Sequence, residues 1–265
     1  YPNSSITPLL WLKLAFALGA LEDSSRFNDI EFALNNVLES NPNFDQEYRA
    51  RLNLGKMRYN KGDVEGALEI YLDLLKNSSF RVYEGRTRLL IAKYFEDRGN
   101  YKRATSEYEK IRDDFPGSPA SAMALYRTGM LHLQLYGDLN IAQEYFQETS
   151  REKSGSQADL MAKEMLGHLN RINDLTFSIQ LADSLAADSL IYGTVNDTTL
   201  IEKSLIEPTD QQNRVAIDIK DSIVVVSQSL ETLDDLFTIA EIYRDHIGQV
   251  DSSIAYYEEI IHRYP

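Results

Sequence analysis

The sequence predicts an all-α protein, an α-solenoid of helix-turn-helix repeats with a partly irregular insertion before the last repeat. Three observations carry that expectation. The chain matches itself at a fixed offset, small residues and aromatics recur at fixed spacing, and apolar residues fall at helical rather than alternating intervals. The internal match is GSPASAMALYRTG from Gly117 against GSQADLMAKEMLG from Gly155, an offset of 38 residues. Both glycines agree, as do Ser118/Ser156, Ala120/Ala158, Met123/Met161 and Ala124/Ala162.

Two segments give the clearest form of the unit: LGKMRYNKGDVEGALEIYLDLL from Leu54 and IAKYFEDRGNYKRATSEYEKIRDDFP from Ile91. Leu54, Gly55, Gly62, Ala67, Tyr71 and Leu74 in the first correspond to Ile91, Ala92, Gly99, Ala104, Tyr108 and Ile111 in the second, which ends at Pro116. The pattern resembles the tetratricopeptide repeat (TPR), a pair of antiparallel helices of roughly 34 residues. On physical grounds Gly55 and Ala92 belong where a first helix approaches its partner closely, with Ala67 and Ala104 facing them. Tyr71 and Tyr108 are expected to fill space towards the next repeat. Gly62 and Gly99 permit the turn, and Pro116 ends a second helix.

In this frame the first unit runs from about Pro8 to Pro42, with Trp11, Leu14 and Ala15 on its first helix and Phe27, Ile30, Leu34 and Val37 on its second. Its inter-helix turn is about three residues too long. A fourth unit covers roughly Ala120 to Lys153, with Gly129, Gly137, Ala142 and Phe146 in the pattern positions. The last covers roughly Thr232 to Pro265, with Ala240, Gly248, Tyr257 and Ile260. In these two the small residue and the turn glycine are eight apart rather than seven, which predicts one extra residue at the corner. The shared Tyr-Pro phase of Tyr1-Pro2 and Tyr264-Pro265 leads us to expect that the natural chain continues in at least one direction.

Between about Asn173 and Ser229 the pattern breaks. Leu175, Ile179, Ala182, Leu185 and Ala186 keep helical spacing, so a helix extends or follows the one begun near Ser156. Beyond Tyr192 the chain is rich in Ser, Thr, Asp and Asn, and Glu207-Pro208-Thr209-Asp210 signals a turn. This stretch reads as a mobile linker, with a short hairpin or added strand as an option where Val215, Ile217 and Ile219 alternate and Ile223 to Val226 are β-branched. The expected organisation is therefore residues 1–172 as an array of about four repeats plus a following helix, 173–229 as an extended helix and polar insertion, and 230–265 as a final unit.

Composition narrows function. At 265 residues and 43% hydrophobic content the chain can bury a sizeable core. Its formal net charge of -14 repels phosphate backbones, so nucleic acid is not expected as a partner. The apolar stretch from Leu9 to Leu21 is interrupted by Lys13 and is too short to span a bilayer. The lack of cysteine excludes disulfides, thiolate metal sites and cysteine nucleophiles. With Tyr1 at the start and no signal peptide visible, the sequence reads as a fragment or mature form whose targeting segment lies upstream.

No catalytic, cofactor or metal site is expected. The four histidines, His132, His168, His246 and His262, lie in predicted helices, none four residues from another, and read as surface or packing residues. No phosphate loop, dinucleotide fingerprint or nucleophile elbow occurs.

The resemblance to TPR domains directs attention to the concave groove lined by the first helix of each repeat, where bound peptides commonly lie. Arg49, Lys56 and Tyr59, then Arg86 and Lys93, are expected to face it, a basic strip on an acidic protein. Such a strip can hold an acidic peptide or a carboxylate terminus; the alternative is that long basic side chains are simply solvated. The clamp of chaperone-binding TPR domains is not reproduced, because Lys56 and Lys93 stand where that clamp has Asn. In the fourth repeat Met123, Tyr126 and Met130, with Leu133, give a more apolar face, open to a partner or covered by the segment after Leu166.

The phrase FPGSPASAMALYRTG is similar to the TPR units of bacterial envelope proteins such as the BamD lipoprotein and the TolA-binding periplasmic protein. That resemblance implies a non-catalytic scaffold that binds a protein or peptide, in the periplasm or associated with the outer membrane, with the cytoplasm as the alternative location. A structural segment of a longer solenoid, or an accessory domain of a larger sensor or enzyme, remains the competing reading.

Overall fold

The computed structural model describes residues 6–21, 24–199 and 231–264, which are helical with no strand among them. Before the insertion come α1 (Thr7–Gly19), α2 (Phe27–Glu39), α3 (Phe44–Asn60), α4 (Val64–Lys76), α5 (Glu84–Asp97), α6 (Tyr101–Asp114), α7 (Pro119–Tyr136), α8 (Leu139–Glu152) and α9 (Gln157–Thr199). After it come α10, residues 231–242 continued by a π-helical turn over Tyr243–Ile247, and α11 (Val250–Arg263). Helix α9 reaches Thr199, so the first residues of the stretch read as a mobile linker beyond Tyr192 are helical instead; the rest of that stretch, with the hairpin option near Val215–Val226, lies outside the described residues. Helix α9 passes through position 172 without a break.

The described residues form two compact units. One holds the residues up to Leu131 together with Glu144–Ala162; the other holds His132–Gln143 and the residues from Lys163 onward.

In the first unit the helices pack as consecutive pairs, α1 on α2, α3 on α4 and α5 on α6, with α2 meeting α3 and α4 meeting α5. Polar residues start these helices. Asn43 and Gln46 form a reciprocal capping box on α3, while Asp63 and Asn100 accept from the Gly66 and Arg103 amides at the starts of α4 and α6. Pairing is set by contact between a small residue and a ring. A Cβ placed on Gly55 would lie 2.4 Å from the Tyr71 ring, and one on Gly129 would lie 2.8 Å from Phe146. Ala67, Ala92 and Ala104 are fully buried at the equivalent crossings. Tyr71 therefore packs first on its own repeat, where the sequence suggested that it fills space towards the next.

Rows of polar contacts join a first helix to the next first helix or to the turn that leads into it. Tyr83 donates to Asp45 at 2.5 Å, the Tyr48 and Thr87 hydroxyls pair at 3.1 Å, and Tyr59 donates to Asp97. These partners are 38 or 39 residues apart, one repeat on. On α1, Leu12 and Ala15 are buried, while Leu14 is exposed.

The corner spacing has a clear geometric outcome. Gly62 and Gly99 turn with φ of +91° and +70°, and the amides of Asp63 and Asn100 close back over five residues to Arg58 and Phe95. In the two repeats with longer spacing the closing bond spans six, from Asp138 to His132 and from Gln249 to Tyr243. The extra residue is thus taken up as a widened last turn, and in α10 that turn is π-helical.

In the second unit α11 runs parallel to α9, since Thr176 meets Tyr256 and Asp183 meets Arg263, seven residues further along each helix. The α10–α11 corner docks on the end of α7. Gln134 donates to the Ile247 carbonyl at 3.1 Å, and Gln249 donates to the Gln134 carbonyl at 3.4 Å.

Replacing Gly55 with Ala drives a methyl into the Tyr71 ring and is expected to cost about 1–3 kcal/mol in urea denaturation. The added change Tyr71→Leu should recover part of that loss. An unchanged midpoint for Gly55→Ala would remove the close-approach account.

Candidate functional site

Residues at i, i+4 and i+7 share one helix face, and on the first helices of repeats two to four that face reads Arg49/Asn53/Lys56, Arg86/Leu90/Lys93 and Met123/Arg127/Met130. Three hollows open along it within the first unit. The largest, about 580 Å³, lies between the ends of α1, α2 and α3, with Phe16, Phe27, Ile30 and Met57 in its walls and Asn53 and Lys56 at its edge. A second, about 190 Å³, is lined by Lys56, Arg86, Leu90, Lys93, Met123 and Arg127. A third, about 210 Å³, lies beside Lys56, Tyr59, Tyr71 and Lys93. Lys56 borders all three.

The cations here are not equivalent. Lys93 is held by both oxygens of Asp97 at 2.8 and 2.9 Å, and Arg127 pairs with Glu96 at 3.3 Å. Glu96 also accepts from the Tyr108 hydroxyl at 2.7 Å. Lys56 and Arg86 have no ion-pair partner among the described residues. Burial, and then the charge of Arg86, push the Lys56 ammonium below its ordinary pKa. Burial likewise lowers Lys93 and raises Asp97, so both members of that pair are drawn towards their neutral forms. A half-buried and an exposed cation that repel one another, neither paired with a carboxylate among the described residues, suit an anion from outside.

Of the residues expected at the groove, Lys56, Tyr59, Arg86, Lys93 and Met123 line these hollows. Met130 is half-buried at the next position along α7. Arg49 does not line them; it is exposed and pairs with Asp45 at 2.9 Å along its own helix. Tyr126 belongs to the core, 6% exposed with its ring 5.5 Å from that of Phe146, and Leu133 is fully buried.

The tetratricopeptide repeat family matches residues 31–81 and 89–156, and a second tetratricopeptide repeat family matches residues 236–265. The chain is a tetratricopeptide repeat protein. No curated protein matches it. Among solved structures, the TPR domain of P58(IPK) aligns at 18% identity over 91% of this chain and 71% of that one, with a TM-score of 0.33, too loose a likeness to carry an argument. TPR repeats in general mediate protein–protein interaction, and the fold is typically a scaffold rather than an enzyme.

In this TPR protein the sequence reading missed the middle of each groove face, Asn53, Leu90 and Arg127. The signal was available, because each stands four residues after one chosen position and three before the other. Among the described residues no group of three or more His, Asp and Glu side chains could hold a metal ion, and no helix is long and apolar enough to cross a membrane.

The fold does bring two histidines together. His168 of α9 and His246 of the π-helical turn stack with ring centroids 3.9 Å apart and planes 19° apart. Burial, then His246, lower the His168 pKa, with Glu164 opposing. Folded His168 thus binds its proton less readily than the unfolded chain does. The stability tied to this group is present above its ordinary value of about 6.5 and is lost as pH falls through the lowered one. Hydrogen exchange in α10 should speed up relative to α5 as pH drops from about 7.5 to about 5 after correction for intrinsic rates, and His168→Gln should flatten that dependence. An equal pH response in both variants would contradict it.

Proposed function

We propose that this protein is a non-catalytic scaffold whose concave first-helix face, in repeats one to four, holds an acidic segment of a partner protein. The observation that carries this reading is the pair Lys56, half-buried, and Arg86, exposed, cations without ion-pair partners among the described residues on a chain of net charge -14. Elsewhere on the same face the chain supplies its own acids, Asp97 to Lys93 and Glu96 to Arg127. The two exceptions are adjacent and border shared hollows. Carboxylates of a partner complete them, and the apolar side chains of Leu90 and Met123 give that segment surface to lie on.

Fluorescence anisotropy with an acidic peptide and its neutral Gln/Asn counterpart tests the proposal. The acidic peptide is expected to bind and to weaken with added salt. The double reversal Lys56→Glu with Arg86→Glu should abolish binding, whereas Arg49→Glu, at a residue already paired off the hollows, should leave it within about two-fold. Equal losses from both variants, or no loss from the double reversal, would remove the groove as the binding face.

We also place the protein in the bacterial envelope, on the similarity of the Phe115–Gly129 phrase to envelope TPR units. Osmotic-shock fractionation of cells carrying the natural gene should recover it in the periplasmic or outer-membrane fraction; a purely cytosolic pool would contradict this.

A further inference from the structure

We propose that the first two repeats read a two-part feature: a large apolar side chain seated at the α1–α2 corner, immediately beside a carboxylate held by Lys56 and Arg86. This rests on the groove reading above and specifies what the segment must carry.

The hollow lies beside a local irregularity. Seven residues link α1 to α2, whereas three link α3 to α4 and three link α5 to α6. The short links draw the helix ends together over a ring, as Tyr71 does over Gly55. Beside the long link, Gly19 at the end of α1 has no atom within 4 Å of where its Cβ would be. There a space of about 580 Å³ has Phe16, Phe27, Ile30, Leu34 and Met57 in its walls, with Asn53, Lys56 and Asn60 as its polar side. Phe16 is 43% exposed at its mouth. A space of this size and lining takes a Phe, Leu or Met side chain and releases the water that otherwise covers those walls.

Lys56 fixes what lies next to that side chain. Its position borders both the apolar hollow and the one lined by Arg86. A carboxylate between the two cations is therefore at the rim of the apolar space. An extended chain advances about 3.3–3.6 Å per residue, so the acid belongs within one or two positions of the apolar residue. Neither half requires a chain terminus, so an internal segment of a partner suffices.

The test uses labelled peptides with both ends blocked, in which a Phe-Asp pair stands in a Gly/Ser spacer, together with versions in which Asp becomes Asn or Phe becomes Gly. The intact pair is expected to bind at least about ten-fold more tightly than either single version. Gly19 lines the hollow and has room for a Cβ, so Gly19→Leu puts bulk at its edge and replaces a poor helix former, and the melting temperature should not fall. It should reduce the affinity of the Phe-Asp peptide about ten-fold, to that of the Asp-only peptide, whose binding it leaves unchanged. If Gly19→Leu leaves Phe-Asp binding intact, or if the Asp-only peptide binds as well as the pair, the two-part proposal fails. The groove reading still stands in that case provided Arg86→Glu weakens the acidic peptides. Should Arg86→Glu have no effect on any of them, both fail.

Discussion

The contact on which the first unit depends is a ring lying in a notch. Gly55 offers Tyr71 a place where no Cβ could stand, and Gly129 offers the same to Phe146. Each contact fixes how closely a first helix lies on its second and at which residue they cross. Once that crossing is set, every residue of the first helix has its face assigned: Leu52, Leu54 and Ile91 go inward, and Asn53, Lys56 and Lys93 line the hollows. Close packing tolerates little freedom here, because a single methyl must displace an aromatic ring. The Tyr83–Asp45, Tyr48–Thr87 and Tyr59–Asp97 contacts then carry the same register from one repeat to the next.

On that face Lys56 and Arg86 differ from their neighbours Lys93 and Arg127, which the chain pairs with its own acids. Several surface cations sit beside an acid on their own helix, as Arg49 does with Asp45, Arg51 with Glu47 and Lys76 with Asp73. Such pairs contribute little to stability. Lys56 and Arg86 lack that arrangement, and burial and mutual repulsion make the charged state of Lys56 less favourable than it would be in water. A carboxylate bound there would offset both effects, so its attraction and the relief of repulsion would act in the same direction.

The repeats were legible in the sequence because the notch and the ring are different residue types at a nearly constant spacing, and that spacing survives where the rest of the pattern has drifted. The extra corner residue of the fourth and last repeats was legible as a count; its form, a widened final turn, required the backbone. Half of the groove was legible, since Arg86 and Lys93 are separated by two helical turns, but the face was drawn without its middle position at Leu90. Tyr126 was misplaced because it stands one residue from the groove position of Arg127, and a shift of one residue on a helix is about a hundred degrees. The histidine stack could not be read at all. His168 and His246 lie in segments separated by the insertion, and no local pattern signals that a widened turn on α10 will meet α9. The long α1–α2 link was visible, whereas the hollow it leaves depends on how three helix ends settle around it.

The central claim, that the first-helix face of the first unit is where a partner lies, can be tested most directly by photo-crosslinking. A benzophenone amino acid would be placed at Asn53 or Leu90 on that face, or at Asp73 or Lys110 on the second helices, and irradiated with the acidic-apolar peptide bound. Adducts are expected from positions 53 and 90 and not from 73 and 110, with competition by unlabelled peptide. Adducts confined to the second-helix positions would contradict the account.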